Sequence, residues 1–151
     1  MIKVERGDPL HPQAAALLRQ SHALMQELFP PEDNFFLSFE ELCAPDIRFM
    51  VAREGDSAIL GVGALALRAG YGEVKSMFTD PAARGKGVAI AMLTAIETEA
   101  RAHNLPALKL ETGNVLYDAH RLYQRAGFTT CGPFGDYPDA ASSVFMEKRL
   151  G

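Results

Sequence analysis

Residues 73–89 read Glu73-Val74-Lys75-Ser76-Met77-Phe78-Thr79-Asp80-Pro81-Ala82-Ala83-Arg84-Gly85-Lys86-Gly87-Val88-Ala89, and the chain then runs to His103 without glycine or proline. An apolar-bearing strand here feeds a glycine-bearing turn that opens a long helix. The first amides of a helix point outward unpaired and carry about half a positive charge, so such a turn can grip a phosphate. Gly85 and Gly87 bring no side chain to hold an anion away. Arg84 and Lys86 add full charges beside them. A triphosphate loop, G-x-x-x-x-G-K-[ST], fails because Val88-Ala89 follow Gly87, and a dinucleotide fingerprint fails at Ile90. Gly61-Val62-Gly63-Ala64-Leu65-Ala66 does satisfy G-x-G-x-x-[GA], but Ala69-Gly70 follows too soon for a crossover helix. That stretch is expected to be a plain strand.

Working outward, Ile2-Lys3-Val4-Glu5 alternates as a first strand. Asp8-Pro9 is expected to open a helix with Leu10, Ala14, Leu17, Leu24 and Leu28 on its apolar stripe, stopped by Pro30-Pro31. Ser38 and Glu41 have capping-box spacing for a short helix. Residues 47–54, 57–68 and 71–78 read as strands, the first two joined through Glu54-Gly55-Asp56. The helix over 85–103 is expected to bury Ala89, Met92, Leu93, Ile96 and Ala100. Residues 107–112 form a strand, 116–126 a helix stopped by Gly127, and 128–131 and 142–148 the last strands. Repeats, linkers and low-complexity tracts are absent.

At 151 residues, 48% of them hydrophobic and 23% charged, the chain is expected to be a single globular domain over 1–151. A net charge of -4 argues against nucleic acid or an acidic membrane as main partner. Met1-Ile2-Lys3-Val4-Glu5 offers no apolar secretion core and no run approaches membrane-spanning length, so the expectation is cytoplasmic. Cys43 and Cys131 are expected to be small buried hydrophobes. His11, His22, His103 and His120 show no ligand spacing, and no metal is expected.

Arg84-Gly85-Lys86-Gly87-Val88-Ala89 resembles the [RQ]-x-x-G-x-[GA] signature of the GNAT N-acetyltransferase family. Ala119-His120-Arg121-Leu122-Tyr123-Gln124-Arg125-Ala126-Gly127-Phe128 resembles its A-x-x-L-Y-x-x-x-G-F element. Two ordered motifs are far more specific than one. The resemblance implies an α/β fold, a mixed, mostly antiparallel sheet of six to seven strands with helices on both faces. It also implies acetyl-CoA as co-substrate and transfer to an amine. Glu111-Thr112-Gly113, the segment Cys131 to Tyr137 and the segment Ser143 to Lys148 are similar to a bacterial branch often labelled indole-acetic-acid or small-molecule acetyltransferases.

Carried onto this sequence, the resemblance implies that the pyrophosphate sits on amides from Arg84 through Ala89 (Arg84, Gly85, Lys86, Gly87, Val88, Ala89), and the pantetheine arm along Met77, Phe78 and Thr79. The Met77 amide or its neighbour would polarise the thioester oxygen. Tyr123 is the expected general acid, since a phenol is protonated at neutral pH and can reprotonate a thiolate. Glu73 is the leading base candidate and Glu111, at the end of the next strand, its rival; Glu73 pairing with Lys75 is the structural alternative. Many members carry Asn three residues before the Ala of the second element; here that position is Leu116, and Asn114 is the nearest substitute. The acceptor is expected to meet Glu32 and Phe35 from one loop, Phe134 from another, and Glu111. Direct transfer to a small primary amine leads. A non-catalytic acyl-CoA sensor and a protein- or peptide-acetylating enzyme are the alternatives, and exposed sheet edges make a homodimer an expectation.

Overall fold

Apolar residues of both parities along the central strands set the architecture, because such strands must be covered on both sides. In the computed structural model, which describes residues 1–151, seven strands form one sheet in the order β1-β2-β3-β4-β5-β7-β6. They are β1 (Ile2–Arg6), β2 (Ile47–Glu54), β3 (Gly61–Arg68), β4 (Tyr71–Thr79), β5 (Ala107–Gly113), β6 (Thr129–Cys131) and β7 (Ser143–Arg149). Only β4 and β5 run parallel; every other pair is antiparallel. The helices are α1 (Pro12–Leu28), α2 (Phe39–Leu42), α3 (Val88–Ala102) and α4 (Tyr117–Arg125). This is the mixed α/β sheet that the motifs imply.

The two faces carry separate cores. Met50 and Ala52 of β2, Leu65 of β3, Val74 of β4 and Leu108 and Leu110 of β5 pack under α3 and α4, with Met92, Ile96, Tyr123 and Phe128. Phe49 and Val51 of β2 and Val62, Ala64 and Ala66 of β3 pack on the opposite face under α1, with Ala14, Leu17 and Leu18. The glycines once weighed as a nucleotide fingerprint lie in β3. A Cβ on Gly63 would come 2.7 Å from Met92 Cγ and 2.9 Å from its sulfur. The bare backbone there lets α3 lie close on the sheet.

Three expected boundaries move, each for a local reason. Asp8 accepts from the amide of Leu10, its carbonyl accepts from His11, and His11 before Pro12 is extended (ψ 132°), so α1 starts at Pro12 rather than at Asp8-Pro9. Leu10 and Leu28 are accordingly exposed, and Ala15 and Leu18 join Ala14 and Leu17 in the core. Strand β3 begins at Gly61 instead of residue 57. Helix α3 begins at Val88, not Gly85, because Gly85 and Gly87 are left-handed (φ +84° and +80°), and Val88 replaces Ala89 on the buried face. Cys43 is exposed at the end of α2 and Cys131 is half-buried, so the cysteines are not the buried pair expected.

Two irregularities shape the middle of the sheet. Between Val62↔Phe78 and Ala64↔Lys75, β4 carries one residue more than β3, a bulge with Ser76 left-handed at φ +57°. Strands β4 and β5 pair only at Gly72↔Leu108 and Glu73↔Lys109, then part. From Val74 onward β4 has no strand partner on its β5 side, and a gap opens through the sheet.

Candidate active site

The turn after β4 leaves a run of backbone amides unpaired. The amides of Gly85, Gly87, Val88, Ala89 and Ile90 find no backbone acceptor within the chain, and the first bond into α3 is Ala91 to Gly87. At both glycines the space where a Cβ would stand is open, so nothing shields those amides. Arg84 and Lys86 are exposed beside them, Lys86 within 3.8 Å of Glu54. Upstream, Asp80 caps the short turn Pro81–Ala83 by accepting from the Ala82 amide at 3.0 Å. Amides and charges of this kind fit a pyrophosphate, each charge-assisted bond contributing roughly 1.5–3 kcal/mol.

The gap between β4 and β5 holds a cavity of about 150 Å³. Val74, Ala119 and Tyr123 line it from the α4 face; Phe29, Phe35, Lys75 and Glu111 line it from the α1 face, so it passes through the sheet. Three buried polar atoms in its wall have no hydrogen-bond partner: Asn34 Oδ1, Ser76 Oγ and Ser142 Oγ. Unpaired buried groups cost about 1–3 kcal/mol each, which a ligand offering complementary groups recovers. The Asn34 amide nitrogen is held by the carbonyls of Phe29 and Pro30 at the end of α1, which leaves its oxygen unpaired.

Tyr123 and Glu111 meet this cavity from opposite sides. Tyr123 is 7% exposed, its ring edge-on to Phe128 with centroids 5.8 Å apart. Burial pushes its phenol well above the ordinary tyrosine value, and the charge of Glu111 pushes it further. Burial likewise raises the Glu111 carboxyl, while a 2.7 Å hydrogen bond from Ser143 opposes the rise.

Glu73 sits elsewhere. It is 2% exposed, accepts from Arg68 Nε at 3.1 Å and from the Tyr137 hydroxyl, and lies 3.6 Å from Lys75 Nζ. Lys75 donates to the Phe35 carbonyl at 2.9 Å and to the Tyr137 hydroxyl at 2.7 Å. The carboxylate lines a second cavity with Phe35, Phe36, Arg68, Tyr71 and Tyr137, which shares Phe35, Phe36 and Lys75 with the first. The alternative reading of Glu73, a partner for Lys75, describes its contacts.

The other expected site residues divide. Met77 and Phe35 line the first cavity. Phe78 and Thr79 are half-buried at the end of β4, paired with Val62 and Gly61 of β3 but without a strand partner on the β5 side. Glu32 is exposed and lines neither cavity; its neighbour Asp33 lines the first. Phe134 is 8% exposed in an aromatic cluster with Tyr71, Tyr137 and Phe145, behind the second cavity rather than in its wall. Asn114 is exposed at the turn after β5, its amide bonded to the Ser142 carbonyl. Ser76 and Ser142 went unassigned in the sequence, and Lys75 entered there only as a partner for Glu73. Two charges at alternate positions of a largely buried strand, Glu73 and Lys75, were the available signal. Cys131 lies in β6, outside both cavities, and burial raises its thiol. No group of three or more His, Cys, Asp and Glu comes together to hold a metal.

A family model described as the acetyltransferase (GNAT) family matches residues 15–128. The chain belongs to the GNAT family. It is 43% identical to an IAA acetyltransferase of Azospirillum brasilense, covering 99% of this chain and 98% of that one. A Klebsiella pneumoniae crystal structure named for acyl-CoA N-acyltransfer superposes with a TM-score of 0.83 at 30% identity, over 100% of this chain and 99% of the other. The PaiA N-acetyltransferase of Thermoplasma acidophilum, solved with coenzyme A, shares the fold with a TM-score of 0.77 at 18% identity, over 99% of each chain. This GNAT protein is an acetyltransferase, and acetyl-CoA is its co-substrate. No helix in it is long and apolar enough to cross a membrane.

Proposed function

We propose that this GNAT enzyme moves the acetyl group directly from acetyl-CoA to a primary amine of a small molecule, inside the gap between β4 and β5. The observation that carries the reading is that Glu111 and Tyr123 line one cavity from opposite faces of the sheet. Glu111 takes a proton from the entering ammonium, directly or through water. The neutral amine attacks the thioester carbonyl, whose oxygen leans on an amide of the unpaired edge of β4 near Met77. The carbon–sulfur bond breaks, Tyr123 gives its proton to the departing thiolate, and the acylated nitrogen returns its second proton to the Tyr123 phenolate, so the proton held by Glu111 is the one released to solvent. Glu111 is preferred to Glu73 as base because Glu73 already accepts from Arg68 and Tyr137 and faces Lys75.

Phosphates rest on the amides of Gly85 and of Gly87 to Ile90, with Arg84 and Lys86 beside them. The small-acceptor reading rests on the narrow cavity and on Phe35 and Phe36 in its wall. The direct route rests on Cys131 lying outside both cavities. The test is thiol release from acetyl-CoA across a panel of small amines and a lysine peptide, with intact-protein mass spectrometry in the absence of acceptor. Amine-dependent release with an N-acetylated product and no acetyl adduct on the protein is expected. Coenzyme binding with no amine ever turned over favours the sensor; an adduct that turns over on adding amine favours a covalent route.

A further inference from the structure

Lys75 is a buried cation that the transfer chemistry above leaves without a role. Its side chain is 9% exposed, yet it lines both cavities. The strand register says what it faces. Glu73 of β4 stands opposite Lys109 of β5 in the last parallel pair before the strands part. Two residues further along each strand, on the same faces, come Lys75 and Glu111. They would be the next cross-strand pair, and the gap opens between them. Direct opposition of unlike charges across neighbouring strands is favourable, and here it spans the acceptor's path.

The ammonium is fixed from three elements. The Phe35 carbonyl and the Tyr137 hydroxyl accept from it, and Tyr137 in turn donates to Glu73. The charged and titratable groups around it are Glu73 and Tyr71 on β4, Arg68 on β3, Glu111 on β5, Asp33 before Phe35 and Glu41 on α2 after it, Asp136 and Tyr137 on the opposite loop and Tyr123 on α4. Burial lowers the hold of the Lys75 amine on its proton, and the carboxylates of Glu73, 3.6 Å away, and of Glu111 oppose that fall, while Arg68 neutralises one side of Glu73.

We propose that Lys75 is a positioning residue that sets the protonation state of the transfer gap, keeping Glu111 ionised and disfavouring the protonated form of an amine that enters beside it. A fixed positive charge stabilises a neighbouring carboxylate against burial and lowers the affinity of a nearby amine for its proton. Both effects ease formation of the neutral nucleophile. The inference rests on the proposed assignment of Glu111 as base.

The test is the pH profile of kcat/KM for wild type, Lys75→Gln, Lys75→Arg and Glu111→Gln, with acetyl-CoA binding followed separately by melting shift. Glutamine can keep hydrogen bonds to Phe35 and Tyr137 without the charge. Its acid limb is expected about one pH unit higher, roughly a tenfold loss well below the limb, while Lys75→Arg keeps the wild-type limb. A glutamine variant that loses the same factor at every pH, or an arginine variant whose limb moves as far as that of glutamine, overturns the proposal. If Lys75→Gln does not fold, the arginine variant decides: a wild-type limb supports the role and a shifted one overturns it. Failure of the base assignment looks different, because Glu111→Gln would then keep the wild-type limb.

Discussion

Burial raises both Glu111 and Tyr123, and the two consequences separate experimentally. For Tyr123 a raised value keeps the phenol protonated through the working pH range, as a proton donor requires. Tyr123→Phe is expected to lower kcat by roughly 10²-fold or more with acetyl-CoA binding retained, measured by thiol release and melting shift. For Glu111 the sign works through stability. Its folded carboxyl holds a proton more tightly than the unfolded one, so the folded state binds more protons in the window above the ordinary carboxylate value. Stability from this group is therefore fullest below that value and falls as pH rises through the window. Glu111→Gln removes the penalty, and its Tm relative to wild type is expected to climb as pH rises above the ordinary carboxylate range. A difference independent of pH in thermal melts would remove the buried-charge explanation.

At the scale of elements, the helices and most strands were legible because their periodicities match their burial: Met92, Leu93, Ile96 and Ala100 on α3 were read directly. The splay of β4 from β5 was not legible. It depends on where parallel pairing stops, at Glu73↔Lys109, and neither strand carries a local signal for that. For the same reason sequence could not divide labour between Glu73 and Glu111, which differ by which cavity they meet. The turn at Gly85 and Gly87, the proposed phosphate site, was legible because glycine is the residue that adopts its left-handed conformation without strain. Gly87→Val should therefore raise the apparent Kd for acetyl-CoA about tenfold or more, through strain at φ +80° and crowding of the amides. Unchanged binding by calorimetry would move the phosphate site elsewhere. On the sheet, Gly63→Val is expected to cost about 1–3 kcal/mol in denaturant unfolding, since its side chain would drive into Met92 and Met77.

For the whole molecule, the sheet keeps separate cores on its two faces and opens one passage between them, and in the proposed reaction the turn Arg84–Ala89 and α4 serve one side while the loops of Phe35 and Tyr137 serve the other. Acetyl-CoA at about a hundred times its Kd should stabilise the fold by about 2.7 kcal/mol, a Tm rise of roughly 5–10 °C by scanning fluorimetry. The buried Glu73–Arg68–Lys75–Tyr137 network gives Glu73 a structural task, and removing one partner of such a network costs about 3–5 kcal/mol. The most direct measurement compares kcat for Glu111→Gln and Glu73→Gln in the thiol-release assay, at a temperature where both variants are folded. Glu111→Gln is predicted to lose roughly 10²-fold or more, while Glu73→Gln keeps most of kcat and loses Tm instead. The reverse pattern, with Glu73→Gln inactive though folded and Glu111→Gln near wild type, would contradict a transfer site built on the gap between β4 and β5.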